Sequence, residues 1–508
     1  MKFLTLKNAV NLLAVILLAI SSCKKEETYK NVPSYGPDQI FYALSENSLI
    51  SYNASDVRTK SSTVAISGLA GTEKLLGIDF RPATGELYGV SSASKIYIIN
   101  VSTGATRALT TSAFSPILAG TTASINFNPT VDRIRIVTNT GQNLRINPET
   151  GLVVGTDTNV SSNAISGISY TNSFAGATAT VLYDIDINTK KLYKQDPPNN
   201  GTLVEVGNLN LDLGTAVSFD ISPDNKNALA VGKVGDSTKL FAINLTNGNA
   251  TLAGKFIKGT TIQSIAIPAS PVFYAVDNAN NLLIFNPDLT TTILSKPITG
   301  LQTGETILGM DMRPLNGQVF ALGSSSRLYA VNIGTGQFTQ VGTGTLSTLL
   351  VGTSFGFDFN PIDDVIRVVS NTGQNIRLNP STAVVNVDPN ITTTTATLSA
   401  AAFSSNFANA TTTTLYVVDN ATNKLYSQEP NTGKITTISD LKVAGKNIVV
   451  SAANGFDIIS TTSSNMAYGI FTVGALNNLY LIDLSTGEMT VRGTFSTGVT
   501  AFTLGLRF

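Results

Sequence analysis

The chain has 508 residues, enough for two or more hydrophobic cores. Lys+Arg and Asp+Glu both total 33, so there is no electrostatic reason to expect a nucleic-acid partner or an anionic membrane surface. The sequence contains no histidine, no tryptophan and one cysteine. This composition excludes a Ser-His-Asp triad, a histidine zinc site and an intrachain disulfide. We expect a monomer with no nucleic-acid partner.

Residues 1–23 have the features of a targeting segment. Lys2 and Lys7 give a positive start, and the apolar run 12–20 is too short for a comfortable membrane span. The run ends in Ile-Ser-Ser-Cys at 20–23, which resembles a bacterial lipobox. That resemblance implies that Cys23 is lipidated and becomes the mature N-terminus. The alternative is a plain secretory signal that contains a chance cysteine.

The next segment resembles the linker of a surface lipoprotein. Lys-Lys-Glu-Glu at 24–27 looks like the charged tract that directs some Gram-negative lipoproteins to the cell surface. Residues 24–37 are polar, contain two prolines and are typical of a flexible tether. We therefore expect an outer-membrane lipoprotein attached through its N-terminal lipid, in either leaflet of that membrane.

A repeated pattern of short strands begins at Gln39. One copy has an apolar strand at 76–80, an aromatic strand at 86–90, a third strand at 95–99 and a fourth at 105–109. Alternation and β-branched residues support each strand. The turn before the fourth strand starts with Asn or Asp and has Gly four positions later, which is the chemistry of a tight hairpin turn. These turns are structural features and not candidate sites.

The chain is an internal duplication. The stretch 126–151 returns almost intact at 358–382, and Arg81 matches Arg313, 232 positions later. Each half contains five units of roughly 35 to 50 residues with four strands each, the period of a β-propeller. The units lie near residues 40–68, 76–110, 124–155, 167–207 and 217–254, and near 272–300, 308–342, 356–388, 400–438 and 455–494.

The first unit of each half lacks its innermost strand, and each half ends in a spare one. The spare strands are predicted at 262–267 and 502–508, where each can pair back and cover an exposed sheet edge. This predicts an all-β chain with two tandem five-bladed β-propellers, at 38–270 and 271–508. The alternative is a single ten-bladed ring, in which 262–267 begins the sixth blade.

Several phrases resemble a known family. The segments 76–82 (LGIDFRP), 128–135 (NPTVDRIR), 139–145 (NTGQNLR) and 170–186 are similar to the bacterial domain-of-unknown-function family 4394. The resemblance covers each half nearly end to end. Because members of that family often carry one such domain alone, it implies that each half closes on itself. The family brings no activity, cofactor or catalytic residue. The second half departs from the pattern where Phe403 replaces Tyr170 and Val365 replaces Arg133.

One polar position recurs in the innermost strand of each blade. It holds Asp79, Asn126, Ser169, Asp220 and Ala266 in the first half, and Asp311, Asp358, Ala402, Asp457 and Arg507 in the second. A circle of carboxylates would suit a hard cation, with calcium the favoured ion. The candidate metal ligands are Asp79, Asp220, Asp311, Asp358 and Asp457. The alternative, which we favour, is that each Asp accepts backbone amides of a neighbouring blade.

A second polar set lies around the Asn-Thr-Gly-Gln-Asn turn. Arginine offers a planar fork for carboxylate or phosphate, and turns are where propeller loops meet ligands. The candidate ligand-binding residues are Arg135, Asn139, Gln142, Asn143 and Arg145, with the second-half matches Arg367, Asn371, Gln374, Asn375 and Arg377. Asp132 and Arg135 are three apart in a strand region, so we expect no pairing between them. The alternative is turn chemistry together with an inter-blade salt bridge.

The sequence predicts no catalytic residue. We expect a binding or scaffolding module for a glycan or protein. The alternative is a carbohydrate-active hydrolase that uses carboxylates at a channel mouth, such as Asp79 with Asp220 or Asp311 with Asp457. That alternative rests on fold analogy alone.

Overall fold

The computed structural model describes residues 36–162, 164–269, 272–287, 293–391, 397–407, 410–460 and 464–505. The targeting segment with Cys23, most of the predicted tether and Arg507 lie outside the described residues. Residues 36–508 form one compact unit. In the described ranges the regular structure is β-strand, apart from one 3₁₀ turn at Pro198–Asn200. No helix among the described residues is long and apolar enough to cross a membrane.

The described part of the first half contains twenty strands. They are β1 Ile40–Ser45, β2 Ser48–Asn53, β3 Asp56–Ala65, β4 Leu75–Phe80, β5 Leu87–Ser91, β6 Ile96–Ile99, β7 Thr106–Ala108, β8 Ala123–Asn128, β9 Arg133–Thr138, β10 Asn143–Ile146, β11 Val153–Asp157, β12 Ile165–Tyr170, β13 Leu182–Asp186, β14 Lys191–Gln195, β15 Leu203–Asn208, β16 Thr215–Ile221, β17 Ala228–Val234, β18 Ser237–Ile243, β19 Ala250–Lys255 and β20 Ser264–Ala266.

A small two-stranded hairpin, at residues 442–443 and 446–447, is the one addition among the described strands of the second half. The second half otherwise repeats this order. Its strands are β21 Phe273–Asp277, β22 Asn281–Phe285, β23 Ile293–Pro297, β24 Ile307–Met312, β25 Val319–Gly323, β26 Arg327–Asn332, β27 Gln337–Val341, β28 Phe355–Asn360, β29 Val365–Ser370, β30 Asn375–Leu378, β31 Val385–Val387, β32 Leu398–Phe403, β33 Leu415–Asp419, β34 Lys424–Gln428, β35 Ile435–Asp440, β36 Lys442–Val443, β37 Lys446–Asn447, β38 Val450–Ser460, β39 Asn465–Val473, β40 Leu476–Ile482, β41 Met489–Phe495 and β42 Val499–Leu504.

The described strands form ten four-stranded antiparallel sheets and the two-stranded hairpin. Four of the five large sheets in each half use consecutive strands. The first sheet of each half is different, because its orders are β20-β1-β2-β3 and β42-β21-β22-β23. The predicted return of a spare strand to the first unit of its own half is therefore confirmed.

The bounds of the two returning strands differ from the prediction. β20 is shorter than expected and ends two residues before Pro268, which has no N–H to donate to a ladder. β42 begins at Val499 and not at Phe502, because its pairing with β21 extends to Val499, which lies opposite Asp277. The same pairing places Thr503 opposite Tyr274. Pairing with the partner strand, which the local sequence does not specify, decides where this strand starts.

The first strands of the sheets contact one another in a closed series within each half. β20, β4, β8, β12 and β16 follow in that order, and β16 contacts β20 again. In the second half the series is β42, β24, β28, β32 and β38, which contacts β42. We call these ten strands the inner strands. Buried apolar side chains fill the space between consecutive sheets, as where Tyr42 of β1 meets the ring of Phe80 of β4 edge-on at 5.6 Å.

The hairpin turns have the chemistry that the sequence predicts. Asn100 Oδ1 accepts the N–H groups of Ser102 and Thr103 at 2.9 and 3.0 Å. Gly104 has φ 73°, and a Cβ there would lie 2.0 Å from the carbonyl oxygen of Ala65. Only glycine fits both the backbone conformation and the close approach of the preceding sheet.

We predict that residues 36–270 fold without the second half, because β20 completes the sheet of β1 from within this segment. Far-UV circular dichroism should show an all-β spectrum, and urea should unfold the fragment in one cooperative step. A matched fragment 36–258 lacks β20 and should lose most of its stability. If fragment 36–270 is molten or aggregated, the two halves do not close separately.

Candidate functional site

The predicted inner-strand polar side chains connect neighbouring sheets in the first half. Each accepts the backbone N–H of the residue one step beyond the equivalent position in the next inner strand. The contacts are Asp79 Oδ2 with Phe127 N at 2.7 Å, Asn126 Oδ1 with Tyr170 N at 2.8 Å, Ser169 Oγ with Ile221 N at 3.0 Å and Asp220 Oδ2 with Ile267 N at 2.6 Å. This is the arrangement predicted by the interpretation in which each polar side chain accepts a backbone amide of a neighbouring blade.

The second half repeats this series with one correction. The contacts are Asp311 Oδ2 with Phe359 N at 2.7 Å, Asp358 Oδ1 with Phe403 N at 2.8 Å, Asp457 Oδ2 with Leu504 N at 2.8 Å and Thr503 Oγ1 with Met312 N at 3.1 Å. Thr503 occupies the position that the sequence assigned to Arg507. That assignment was wrong because the register of β42 is set by its pairing with β21.

All five candidate metal ligands are buried. Burial raises the pKa of Asp79 well above its usual range, and repulsion from Asp220 raises it further. Burial also raises the pKa of Asp220 to about 6, although four hydrogen bonds to its carboxylate oppose the shift. Asp311, Asp358 and Asp457 come closer together, with one carboxylate oxygen of each lying within 4.8 Å of the others. No other such group of three occurs among the described residues.

One of the two predicted ligand-binding arginines of the first half, Arg135, is buried in contacts between two sheets. Arg135 Nε donates to the Tyr170 hydroxyl at 2.9 Å, and Nη2 donates to Asn199 Oδ1 at 2.6 Å. Nη1 donates to Asn143 Oδ1 at 2.5 Å and Asp157 Oδ2 at 3.0 Å. All three of its nitrogens therefore bind protein groups.

Neighbouring candidates are used in the same way. Asn143 Nδ2 donates to the carbonyl oxygens of Thr158 and Pro198 at 3.1 and 3.0 Å. Arg145 forms a two-pronged ion pair with Asp157, at 2.8 and 2.9 Å. This ion pair joins β10 and β11 of one sheet, so it is not the inter-blade salt bridge of the alternative interpretation. The contacts that reach the next unit include the hydrogen bonds from Arg135 to Tyr170 and Asn199.

The second copy of this cluster lacks one hydrogen bond. Arg367 Nη1 donates to Asn375 Oδ1 at 2.8 Å and Asp388 Oδ2 at 2.6 Å, and Nη2 donates to Asn431 Oδ1 at 3.1 Å. Its buried Nε has no partner among the described residues, because Phe403 stands where the first half has a tyrosine. Burial also lowers the pKa of Arg367 below its usual value. The remaining second-half residues repeat the first: Asn375 donates to Pro389 O and Pro430 O, and Arg377 pairs with Asp388.

The predicted turn amides hold a neighbouring loop. Asn139 Oδ1 accepts the N–H of Thr121 at 3.0 Å. Gln142 accepts the N–H of Ala119 at 2.8 Å and donates to Ile117 O at 2.9 Å. In the second half Asn371 and Gln374 make the equivalent contacts with Thr353, Val351 and Leu349, each at 2.9 Å.

Asp132 does not pair with Arg135, as the strand geometry predicts. It accepts two hydrogen bonds from Arg81, of which the bond from Nε is 2.9 Å long. Nη1 of Arg81 also forms an ion pair with Glu149 at 2.5 Å. In the second half Arg313 pairs with Asp364, and Ser381 stands where Glu149 would be.

One buried carboxyl was not identified from the sequence. Asp184 in β13 is fully buried, and neither of its oxygens has a hydrogen-bond partner among the described residues. Burial raises its pKa to about 8, and the nearby Arg135 opposes part of that shift. Val417 occupies the equivalent position of the second half. Burial without a hydrogen-bond partner therefore favours the protonated, neutral form of this carboxyl.

A cleft between the two halves, with a volume of about 460 Å³, was not predicted from the sequence. Equivalent positions of both halves line it, as pairs Glu86 and Gln318, Asn100 and Asn332, and Arg107 and Thr339. Hydrogen bonds cross between the halves beside it. They join Asn100 Nδ2 to Leu315 O at 3.2 Å, Asn332 Nδ2 to Glu149 Oε2 at 3.1 Å, and the Tyr274 hydroxyl to Thr84 O.

The charges of this cleft belong to the first half. Glu86, Arg107 and Glu149 have the neutral counterparts Gln318, Thr339 and Ser381. Burial raises the pKa of Glu86, whereas the Arg81 guanidinium lowers it by a smaller amount. The signal that could have located the cleft is this loss of charge between copies, since the buried structural residues are mostly the same in both.

Two segments of the chain, residues 48–266 and 281–505, match the family described as "Domain of unknown function (DUF4394)". The chain belongs to the DUF4394 family. The resemblance drawn from the repeated phrases is thereby confirmed, with one DUF4394 copy in each half. No curated protein matches the chain.

Among solved structures, the DUF4394 chain is similar to the extracellular domain of a B. thetaiotaomicron protein described as a one component system. The identity is 12%, and the match covers 89% of this chain and 58% of that chain, with a TM-score of 0.24. A likeness of this size decides nothing about this DUF4394 chain.

The two DUF4394 copies provide a matched pair for testing the arginine cluster. We predict that Phe403→Tyr supplies the missing acceptor for Arg367 Nε and raises the free energy of unfolding by about 1 kcal/mol. Tyr170→Phe removes the corresponding hydroxyl and should lower the free energy of unfolding by a similar or larger amount. Urea unfolding of the two variants measures both effects. Destabilisation by Phe403→Tyr would show that the second copy has no room for the hydroxyl.

Proposed function

We propose that the chain consists of two tandem five-bladed β-propellers, at residues 38–270 and 271–508. Two observations support this. The inner strands of each half contact one another in a closed series of five, and the first sheet of each half is completed by the last strand of that half. In a single ten-bladed ring β20 would begin the sixth blade, whereas it pairs with β1.

We infer that the tandem propeller is a binding module and that its ligand occupies the cleft between the halves. The volume of about 460 Å³ carries this proposal, because it lies in the range of small-molecule sites, which are often found between domains. The lining combines amide groups with one exposed guanidinium and two carboxylates. Such groups give directional donors and acceptors for a ligand rich in hydroxyl groups, so we propose a glycan.

The alternative, a hydrolase that uses inner-strand carboxylates, has less support. Those carboxylates are buried and accept backbone N–H groups, whereas a glycosidase places two carboxyl groups on either side of a sugar. If the cleft itself cleaves a glycan, Glu86 is the candidate acid, since its pKa is raised by burial.

We predict that a glycan screen with the full-length protein finds retention without turnover. Arg107→Thr introduces the residue of the second half. It should lower the affinity for the retained glycan by about tenfold, which corresponds to the loss of one charged hydrogen bond. The matched control is Arg133→Val, which also replaces an arginine by its second-half counterpart but lies outside the cleft lining. Equal weakening by both variants would remove the cleft as the site. If the screen finds a released product, and Glu86→Gln abolishes its release, the cleft is the site of a hydrolase and not of a binding module.

We also propose that the protein is an outer-membrane lipoprotein anchored at Cys23, with residues 1–23 as signal peptide and 24–37 as tether. The support is the lipobox and the polar segment after it. Cys23→Ala should move the protein from the membrane fraction to the soluble envelope fraction while leaving its circular dichroism unchanged. An unchanged membrane fraction would contradict the anchor.

A further inference from the structure

One carboxylate oxygen of the second half is buried without a partner. Asp358 is fully buried, and its Oδ1 accepts the N–H of Phe403 at 2.8 Å. Its Oδ2 has no hydrogen-bond partner among the described residues. A buried anionic oxygen without a donor is costly, so a native structure compensates it with a proton, a cation or a water.

The first half shows what normally fills this role. Asn126 stands at the position of Asp358, and its Nδ2 donates to Asp220 Oδ1 at 3.2 Å. Ser169 Oγ is 2.8 Å from the same oxygen and donates to it. Asp220 of the first half thus has side-chain donors from two other inner strands, β8 and β12.

The second half has lost both donors and gained a carboxylate. Asp358 replaces the amide and Ala402 replaces the hydroxyl. The Thr503 hydroxyl lies 3.0 Å from Asp311 Oδ1 and 2.9 Å from Asp457 Oδ2, but it has one proton and can donate to only one of them. Among the described residues, Asp358 Oδ2 therefore has no donor, whereas Asp311 and Asp457 also accept backbone N–H groups.

The geometry suits one oxygen-liganded cation. Calcium binds carboxylate oxygens at about 2.4 Å, so oxygens up to about 4.8 Å apart can share one ion. The oxygens of the three aspartates lie within 4.8 Å of one another.

A cavity of about 20 Å³ lies beside this group and is lined by residues of all five inner strands. The lining includes Met310, Phe357 and Phe456, which immediately precede the three aspartates. The three aspartates themselves are not in the lining, and the volume is enough for one water.

We propose that Asp311, Asp358 and Asp457 bind one calcium ion at the centre of the second propeller, and that the first propeller has no equivalent site. Calcium is favoured over magnesium because the ligands are carboxylates in a buried protein cage, whereas magnesium usually keeps several waters. This proposal does not depend on a ligand in the cleft.

The test uses the full-length protein after long dialysis against a chelator. Titration calorimetry and metal analysis should find one calcium per chain, and a hundredfold excess over the dissociation constant should raise the Tm of the second propeller by about 5 °C. Asp358→Asn introduces the first-half residue and should abolish both effects while the protein still folds. The matched control Asp79→Asn removes a carboxylate of the first half and should leave calcium binding unchanged.

Three results would overturn the proposal. The first is absence of calcium binding in a protein whose Tm falls as pH rises. If Asp358→Asn also removes that pH dependence, the group of aspartates holds a proton and not a cation. Loss of binding in Asp79→Asn would place the ion elsewhere. If Asp358→Asn does not fold, Ala402→Ser is measured in its place, since it restores the hydroxyl donor and should weaken calcium binding about tenfold. Unchanged affinity in that variant would also overturn the proposal.

Discussion

The structure depends on one kind of hydrogen bond, from a backbone N–H of one inner strand to a polar side chain of the preceding inner strand. An inner strand is the edge of its sheet, so its outward N–H groups would otherwise be buried without partners. A short side chain from the neighbouring sheet satisfies one of them, as Asp79 does for Phe127. Because the next sheet makes the same contact with the one after it, the bond fixes both the spacing and the order of the sheets.

The close approach needed for this bond explains a second residue of the repeated phrase. Glycine stands two positions before several of the polar side chains, as Gly167 before Ser169 and Gly309 before Asp311. A Cβ at Gly309 would lie 2.5 Å from Cβ of Phe357, so any larger residue would push the two sheets apart. The Gly-x-Asp pattern thus combines the room for an inter-sheet contact with the acceptor that uses it.

Much of this could be predicted from the sequence, because it depends on local patterns. Alternation of apolar and polar residues predicts the strands, and the positions of Asn and Gly predict the turns. The repeated polar position lies where the inter-sheet hydrogen bonds form. Two features depend on how distant segments meet. The register of β42 follows from pairing with β21, which is why Thr503 and not Arg507 occupies the polar position. The cleft arises only where the two halves pack together, and no local pattern specifies that contact.

The two copies differ most informatively in how they compensate buried polar groups. In the first half burial raises the pKa of Asp184 to about 8, which favours its neutral, protonated form. Val417 in the second half removes that requirement. The requirement at the centre of the second half is different, because three carboxylates lie within 4.8 Å and one hydroxyl is the side-chain donor that the described residues offer them beside their backbone N–H groups. A single proton would leave two negative charges in a medium where repulsion is only weakly screened, whereas a divalent ion supplies two positive charges at one point. The change from asparagine to aspartate at position 358 therefore replaces hydrogen bonding between side chains by a need for concentrated positive charge.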